Sequence, residues 1–371
     1  MTDSMVKVSA REERDVIVAA LQRNGASLEP ASVQADWLVE ADLRGQSSHG
    51  IARLPILVAR IQAGLLVPNA QPLMTWRSKV VLSVDGARGF GPAVATQALA
   101  LAIARSRVHG ISLIAISNAH HLGILAPYVE DAADEGVICV ALTTSEALVH
   151  PWGGRHAMIG TNPVAIGVPA QPSPLVLDMA TGQISMGKII HHSQIGQPLE
   201  PGWAVDRDGE PTTDPHAALG GAISPFGGPK GFALGLAFEA LVGSLTNSAF
   251  GTDVHGTLDA EHECNKGDVF ICIDSTIVAG SSRSAQVSKY LDDVRATPAA
   301  TGSSGVRVPG DRAAHERTRR HVEGVEVATT SWDAALALAG GVDAGSTSLG
   351  PANKESERSR PSGPTRDEVV E

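Results

Sequence analysis

The 371-residue sequence predicts an α/β protein carrying an N-terminal helical unit, on three observations. Apolar residues recur at helical spacing between residues 10 and 45. From residue 80 onward, short β-branched runs alternate with longer amphipathic stretches. Glycine is abundant (39 residues) while aromatics make up only 4%, a composition suited to tight turns and close packing of elements.

The N-terminal unit, taken as residues 1–78, has expected helices at 12–24, 32–43 and 54–64. In the second, Val33, Trp37, Leu38 and Leu43 supply the apolar face, and the periodicity breaks at Gly45. Gly64 closes the third, with Pro68 and Pro72 beyond it. A central α/β domain, residues 79–265, follows, with expected strands at 80–84, 111–116, 137–142, 164–168 and 175–177. Its expected helices are 93–108, 125–135 and 230–245, the last preceded by Gly227-Gly228-Pro229. A C-terminal part, 266–345, has a strand at 269–273 and helices around 285–296, 313–322 and 332–339, and is expected to return to the N-terminal unit. Residues 346–371 are Ser, Pro and charged residues and read as a disordered tail. No internal repeat is evident.

The formal charge of −11 argues against nucleic-acid or anionic-membrane partners, and no basic stripe with interleaved aromatics occurs. No stretch approaches a membrane span or a secretory leader. The three cysteines form no CxxC pair, and Cys139 and Cys272 lie in apolar runs, so reduced thiols and a cytoplasmic location are expected.

The chemistry concentrates in Ser47-Ser48-His49-Gly50-Ile51-Ala52-Arg53. A neutral histidine exchanges a proton near pH 7, and an arginine clamps a carboxylate. If the segment continues as helix, positions i and i+4 share a face, and His49 and Arg53 address one small anion. That pairing suits interconversion of a 2-hydroxy acid and a 2-keto acid. The competing reading is a surface turn in which His49 caps a helix end and Arg53 is solvated. His121 ends a buried strand, where ligands of α/β proteins collect, or is a loop histidine bonded to a carbonyl; His120 reads as structural. Lys230 opens a helix and is either a phosphate contact or a solvated first-turn lysine. Asp178 ends an apolar strand and either binds a ribose or caps a helix. His191-His192 beside Lys188 have no third ligand at fitting spacing, so no metal is expected. A GxGxxxA pattern, Gly89-Phe90-Gly91 with Ala95, invites a Rossmann reading. Pro92 and the absence of an acidic residue ending strand 111–116 weaken it.

Taken in series, Ser48-His49-Gly50 with Arg53-Leu54-Pro55, Asn118 to Gly123, Pro151-Trp152-Gly153-Gly154 and Gly160-Thr161-Asn162-Pro163 resemble the malate/L-lactate dehydrogenase family of the second type, a non-Rossmann group. Leu177-Asp178-Met179-Ala180-Thr181, Gly187-Lys188, Pro201-Gly202-Trp203-Ala204, Pro211 to Pro215, Gly227 to Gly231, Val308 to Asp311 and Gly324-Val325 extend the resemblance from about residue 10 to 340. It implies a family-specific NAD(P)-binding fold with a large mixed sheet, a homodimer, and NAD or NADP as cofactor. It implies an NAD(P)-dependent 2-hydroxy acid dehydrogenase acting on a small carboxylic or related imino acid. His49 takes the position of the catalytic proton carrier with Ser48 beside it, His121 lies by the nicotinamide, and Arg53 contacts the substrate anion. Cofactor contacts implied are His121, Leu122, Gly123, Ile124 and Leu125; Asp178, Met179 and Ala180; Lys230 and Gly231; and Pro309, Gly310 and Asp311. The sequence departs from the family at Leu57 (usually Tyr), Gly182 (usually Ser), Met186 (usually Arg) and His191-His192. These departures motivate an alternative, a catalytically silent dimeric paralogue that binds a small acid or dinucleotide.

Overall fold

The computed structural model describes residues 4–340, so the expected tail lies outside the described residues. A strand β1 (Met5–Val8) precedes helices α1 (Ala10–Arg23), α2 (Leu28–Leu43) and α3 (Leu54–Gln62). The Ser9 hydroxyl caps α1 by accepting the Glu12 amide at 3.1 Å. α2 begins at Leu28, ahead of the expected 32, because Pro30 falls in the first turn, where no amide is needed. Between α2 and α3 the helix does not continue. Two 3-10 turns, Ser47–His49 and Ile51–Arg53, meet at Gly50, so the i,i+4 argument for His49 and Arg53 does not apply.

The central part contributes β2 (Leu73–Trp76), β3 (Val81–Gly89), α4 (Gly91–His109), β4 (Ile111–Ala119), α5 (Ala126–Asp134), β5 (Ile138–Thr143), β6 (Val164–Val168) and β7 (Leu175–Met179). Pro92 sits in the first turn of α4, a helix start rather than a break. A small subdomain follows that periodicity did not reveal: α6 (Met186–Ile195), β8 (Ala204–Val205), β9 (Pro211–Thr212), α7 (Pro215–Leu219) and β10 (Ala222–Ile223). Its strands are two residues long, too short for an alternation to register. Then come α8 (Pro229–Thr246), β11 (Asp268–Ile273), α9 (Ser275–Val278), α10 (Ser284–Arg295), α11 (Asp311–Glu323), β12 (Val325–Ala328) and α12 (Thr329–Ala339).

The main sheet has seven strands in the order β2-β3-β4-β11-β5-β6-β7. Among the described strands only β3 and β4 pair in parallel, joined by the α4 crossover; every other neighbour in this sheet is antiparallel. This is the large mixed sheet expected, and it is not a doubly wound Rossmann sheet. The expected boundary at 265/266 falls just before β11, which fills the centre of the sheet with Phe270 opposite both Ile114 and Ala141.

One face of the sheet packs on α4 and α5 through Leu82, Ile114, Phe270, Tyr128 and Val129. On the other, Val242 of α8 meets Leu142, Val164 and Val269. The N-terminal unit has a separate core of Ile17, Leu21, Leu38 and Leu54, completed by Val325, Val327, Trp332 and Ala335 from the end of the chain. There β1 pairs antiparallel with β12, Val6 opposite Val327.

Packing of α5 on β6 is tight enough to test. A Cβ at Gly167 would lie 2.0 Å from the Val129 carbonyl. Gly167→Ala should therefore destabilise the fold by about 1–3 kcal/mol, read as a lowered melting temperature. Gly220→Ala, whose added carbon meets nothing closer than 3.7 Å, should melt like the parent.

Candidate active site

The site is set by how the chain leaves α2. Asp42, in the last turn of that helix and fully buried, accepts the Ile51 amide on Oδ2 at 2.6 Å. A side chain at position 50 would fall on that carboxylate, its Cβ 1.8 Å from Oδ2, so only glycine lets the two turns fold back this closely. Further anchors fix the end of α2. Arg317 of α11 clamps Glu40 with its Nη2 at 2.7 Å from Oε1, and Arg44 reaches both Glu40 and Glu130.

On the first turn, Ser48 Oγ stands 3.0 Å from His49 Nδ1, which leaves Nε2 without a hydrogen-bond partner among the described residues. Ser48 is backed by α6, where a Cβ at Gly187 would sit 2.4 Å from the Ser48 Cβ. The His121 ring lies 5.3 Å from the His49 ring, centroid to centroid, at an interplanar angle of 32°. His121 Nδ1 accepts the Gly123 amide at 3.0 Å, which fixes that ring from the β4–α5 loop. Burial, and then the charge of Arg53, lower His49 to about 4 and hold His121 well below the ordinary histidine range. Both imidazoles are therefore neutral near pH 7. His120 bonds the Leu65 carbonyl through Nε2 at 3.1 Å, the structural role expected of it.

Arg53, on the second turn, is not a solvated surface residue. Its guanidinium is largely enclosed and donates to the Thr257 carbonyl at 2.5 Å. Glu146 organises that loop by accepting the Thr257 and Leu258 amides at 2.7 and 3.0 Å, and its charge acts on Arg53. Glu146 and Thr257 escaped sequence reading because their partners are more than a hundred positions away, which no local pattern encodes.

The expected cofactor contacts fall into two places. Asp178 at the end of β7 accepts the Leu125 and Ala126 amides on Oδ2 at 3.0 and 2.9 Å and so caps the start of α5. Met179 and Ala180 follow directly, and Leu122, Gly123 and Ile124 form the loop that the Tyr128 hydroxyl holds by donating to the Leu122 carbonyl at 2.8 Å. Pro309-Gly310-Asp311 lies against the same strand, since a Cβ at Gly310 would be 2.9 Å from the Val176 carbonyl. Asp311 is paired with Arg295 at 2.8 Å. Lys230 and Gly231 stand apart, at the start of α8. Gly231 is buried against Phe226, and Lys230 is exposed with no ion pair among the described residues. Their link to the rest runs through Thr181, whose carbonyl accepts the Phe226 amide at 3.1 Å.

This donor set fits a nicotinamide dinucleotide: two neutral imidazoles and a half-buried cation at the reacting end, and a free ammonium on a helix start for phosphate charge. No group of three or more potential metal ligands occurs among the described residues, and none of their helices is long and apolar enough to cross a membrane.

A neutral histidine poised by a hydroxyl, an enclosed arginine beside it and a non-Rossmann mixed sheet define an NAD(P)-dependent oxidoreductase of small acids. The sequence model of malate/L-lactate dehydrogenase matches residues 8–335, and the chain belongs to that family. It is 35% identical over 321 residues to the malate/(S)-sulfolactate dehydrogenase of Methanothermus fervidus, covering 86% of this chain and 93% of that protein. Against the Δ1-pyrroline-2-carboxylate/Δ1-piperideine-2-carboxylate reductase of Pseudomonas putida it is 35% identical over 333 residues, covering 88% and 95%. The crystal structure of a dehydrogenase from Sinorhizobium meliloti superposes with a TM-score of 0.87 at 46% identity, covering 91% of this chain and 99% of that one.

Three of the departures from the family, Leu57, Gly182 and Met186, have packing explanations here. Leu57 is buried in the core of the N-terminal unit. At Gly182 a Cβ would already meet Ile223 at 3.2 Å, and Met186 packs on the small subdomain.

Proposed function

We propose that the protein interconverts a small 2-hydroxy acid, malate- or lactate-like, and its 2-keto acid, or a related cyclic imino acid, with His49 as the proton carrier. The observation that carries this is the Ser48–His49 pair, its Nε2 unengaged beside His121 and Arg53. The nicotinamide supplies or accepts the hydride when bound. In oxidation, neutral His49 takes the hydroxyl proton on Nε2 as the carbon is oxidised; in reduction it returns that proton to the developing alkoxide. Ser48 holds the imidazole by Nδ1. Arg53 holds the substrate carboxylate and fixes the orientation of the reacting carbon. The His121 ring stands beside that of His49.

A homodimer formed through α8 belongs to the same reading. That helix exposes Leu234, Leu241 and Leu245 along one side and Leu236, with Phe250 near it, on the other, apolar surface that supports association. Three buried free thiols, Cys139, Cys264 and Cys272, support a reducing, cytoplasmic setting.

His49→Ala should lower kcat by about 10²–10⁴-fold with either cofactor, whereas Arg53→Ala should mainly raise the KM of the acid. Both are read from nicotinamide absorbance across a panel of hydroxy, keto and imino acids, and a near-normal rate in His49→Ala would move the role to His121. The pH dependence has a defined sign. Oxidation needs the neutral imidazole, so its kcat/KM should stay level through the ordinary histidine range and fall only as pH drops through about 4. Reduction needs the imidazolium and should slow steadily as pH rises; an oxidation inflection near an ordinary histidine pKa of about 6.5 contradicts this. For the dimer, sedimentation of Leu241→Glu should show a monomer where the parent sediments as two copies.

A further inference from the structure

Two buried acids behind the His49 segment are not used by the chemistry above. Glu13 lies on α1 with no exposed surface, and neither of its oxygens finds an N–H or O–H donor among the described residues. Its side chain meets that of Asp42 on α2, the carboxylate that holds the Ile51 amide. Two bare carboxylates cannot stand in contact in such a place, whereas one proton between them turns the contact into a hydrogen bond.

We propose that Glu13 and Asp42 form a proton-sharing pair that positions the catalytic segment: Glu13 carries the proton and donates to Asp42, and Asp42, kept as a carboxylate, holds the Ile51 amide and so the turn that presents His49. These are positioning residues, and neither touches the reacting atoms.

The surrounding charges agree. Besides Asp42, Arg320 of α11 acts on Glu13 among the described residues, and the same arginine acts on Asp42. Arg320 makes no ion pair with either acid among the described residues; its Nη1 donates to the Asp42 main-chain carbonyl at 2.9 Å and its Nε to Glu316 at 3.2 Å. Burial pushes Glu13 well above the ordinary carboxylate range and Asp42 up to about 6. The folded chain therefore grips this proton more tightly than the unfolded chain does. The stability the pair contributes is present in full below the ordinary range of free carboxyls and is lost as pH rises toward the raised value of Glu13. Gly50 completes the device, since its lack of a side chain lets Asp42 approach the turn.

Glu13→Gln separates the proton from the hydrogen bond: the amide still donates to Asp42 but does not titrate. Relative to the parent, its melting temperature should rise with pH between about 5 and 9, by on the order of 2 °C or more, and kcat at pH 7 should stay within about twofold. Asp42→Ala should lower kcat about tenfold or more with the cofactor KM little changed. Asp42→Asn, whose amide oxygen still accepts from Ile51, should recover most of that loss. Infrared spectra of the unmodified protein at neutral pH should show a buried carboxylic-acid carbonyl band that Glu13→Gln removes. The kinetic arm rests on His49 being the proton carrier; the infrared and melting arms do not, so a failure of that reading is told apart from a failure of this one. A melting difference that does not change with pH, an unaffected Asp42→Ala enzyme, or the absence of the carbonyl band in the parent overturns the proposal. That last measurement decides the matter even if a variant does not fold.

Discussion

The hydrogen bond from the Ile51 amide to the Asp42 carboxylate is the constraint on which the site depends. It bends the chain back on α2 so that one short turn presents His49 and the next presents Arg53. A continuous helix would have offered the same residues by spacing alone. The break does it by folding, and it demands a glycine at position 50 and a buried acceptor nine residues before Ile51. Each partner of the segment then adds one restraint: Ser48 on the imidazole, α6 behind Ser48, and the Thr257 carbonyl on the arginine.

The site is electrostatically uneven. Burial, and then the charge of Arg53, depress the neighbouring histidines, and that keeps the imidazoles neutral for accepting a proton. A carboxylate bound by Arg53 would offset the same positive charge, making His49 more basic when substrate is present than in the empty pocket.

Much of this was legible in the sequence. Helical spacing identified α1 and α3 and the body of α2, and β-branched runs identified β4, β5, β6 and β11. The ordered series of short motifs pointed to the non-Rossmann family and to His49, Arg53 and His121. What could not be read was distance along the chain converted into contact. β1 and β12 are only four residues long, too short to announce themselves, and each exists because the other pairs with it. Asp178 is half of a cap whose other half is α5, so its helix-capping role emerged only once those two elements lay together. Glu146 shows the same limit, being an acid in a loop whose task is to hold another loop.

The seven-stranded sheet places its central strand, β11, between partners made more than a hundred residues earlier, and the N-terminal core waits for Trp332 and Ala335. During synthesis, therefore, β4 and β5 leave the ribosome with a gap between them that no neighbouring segment fills. The apolar faces of α1 and α2 stay uncovered until almost the whole polypeptide has emerged. The nascent chain thus passes through an extended window with apolar surface unpaired, and the contacts of α12 with the Ile51–Arg53 turn close last.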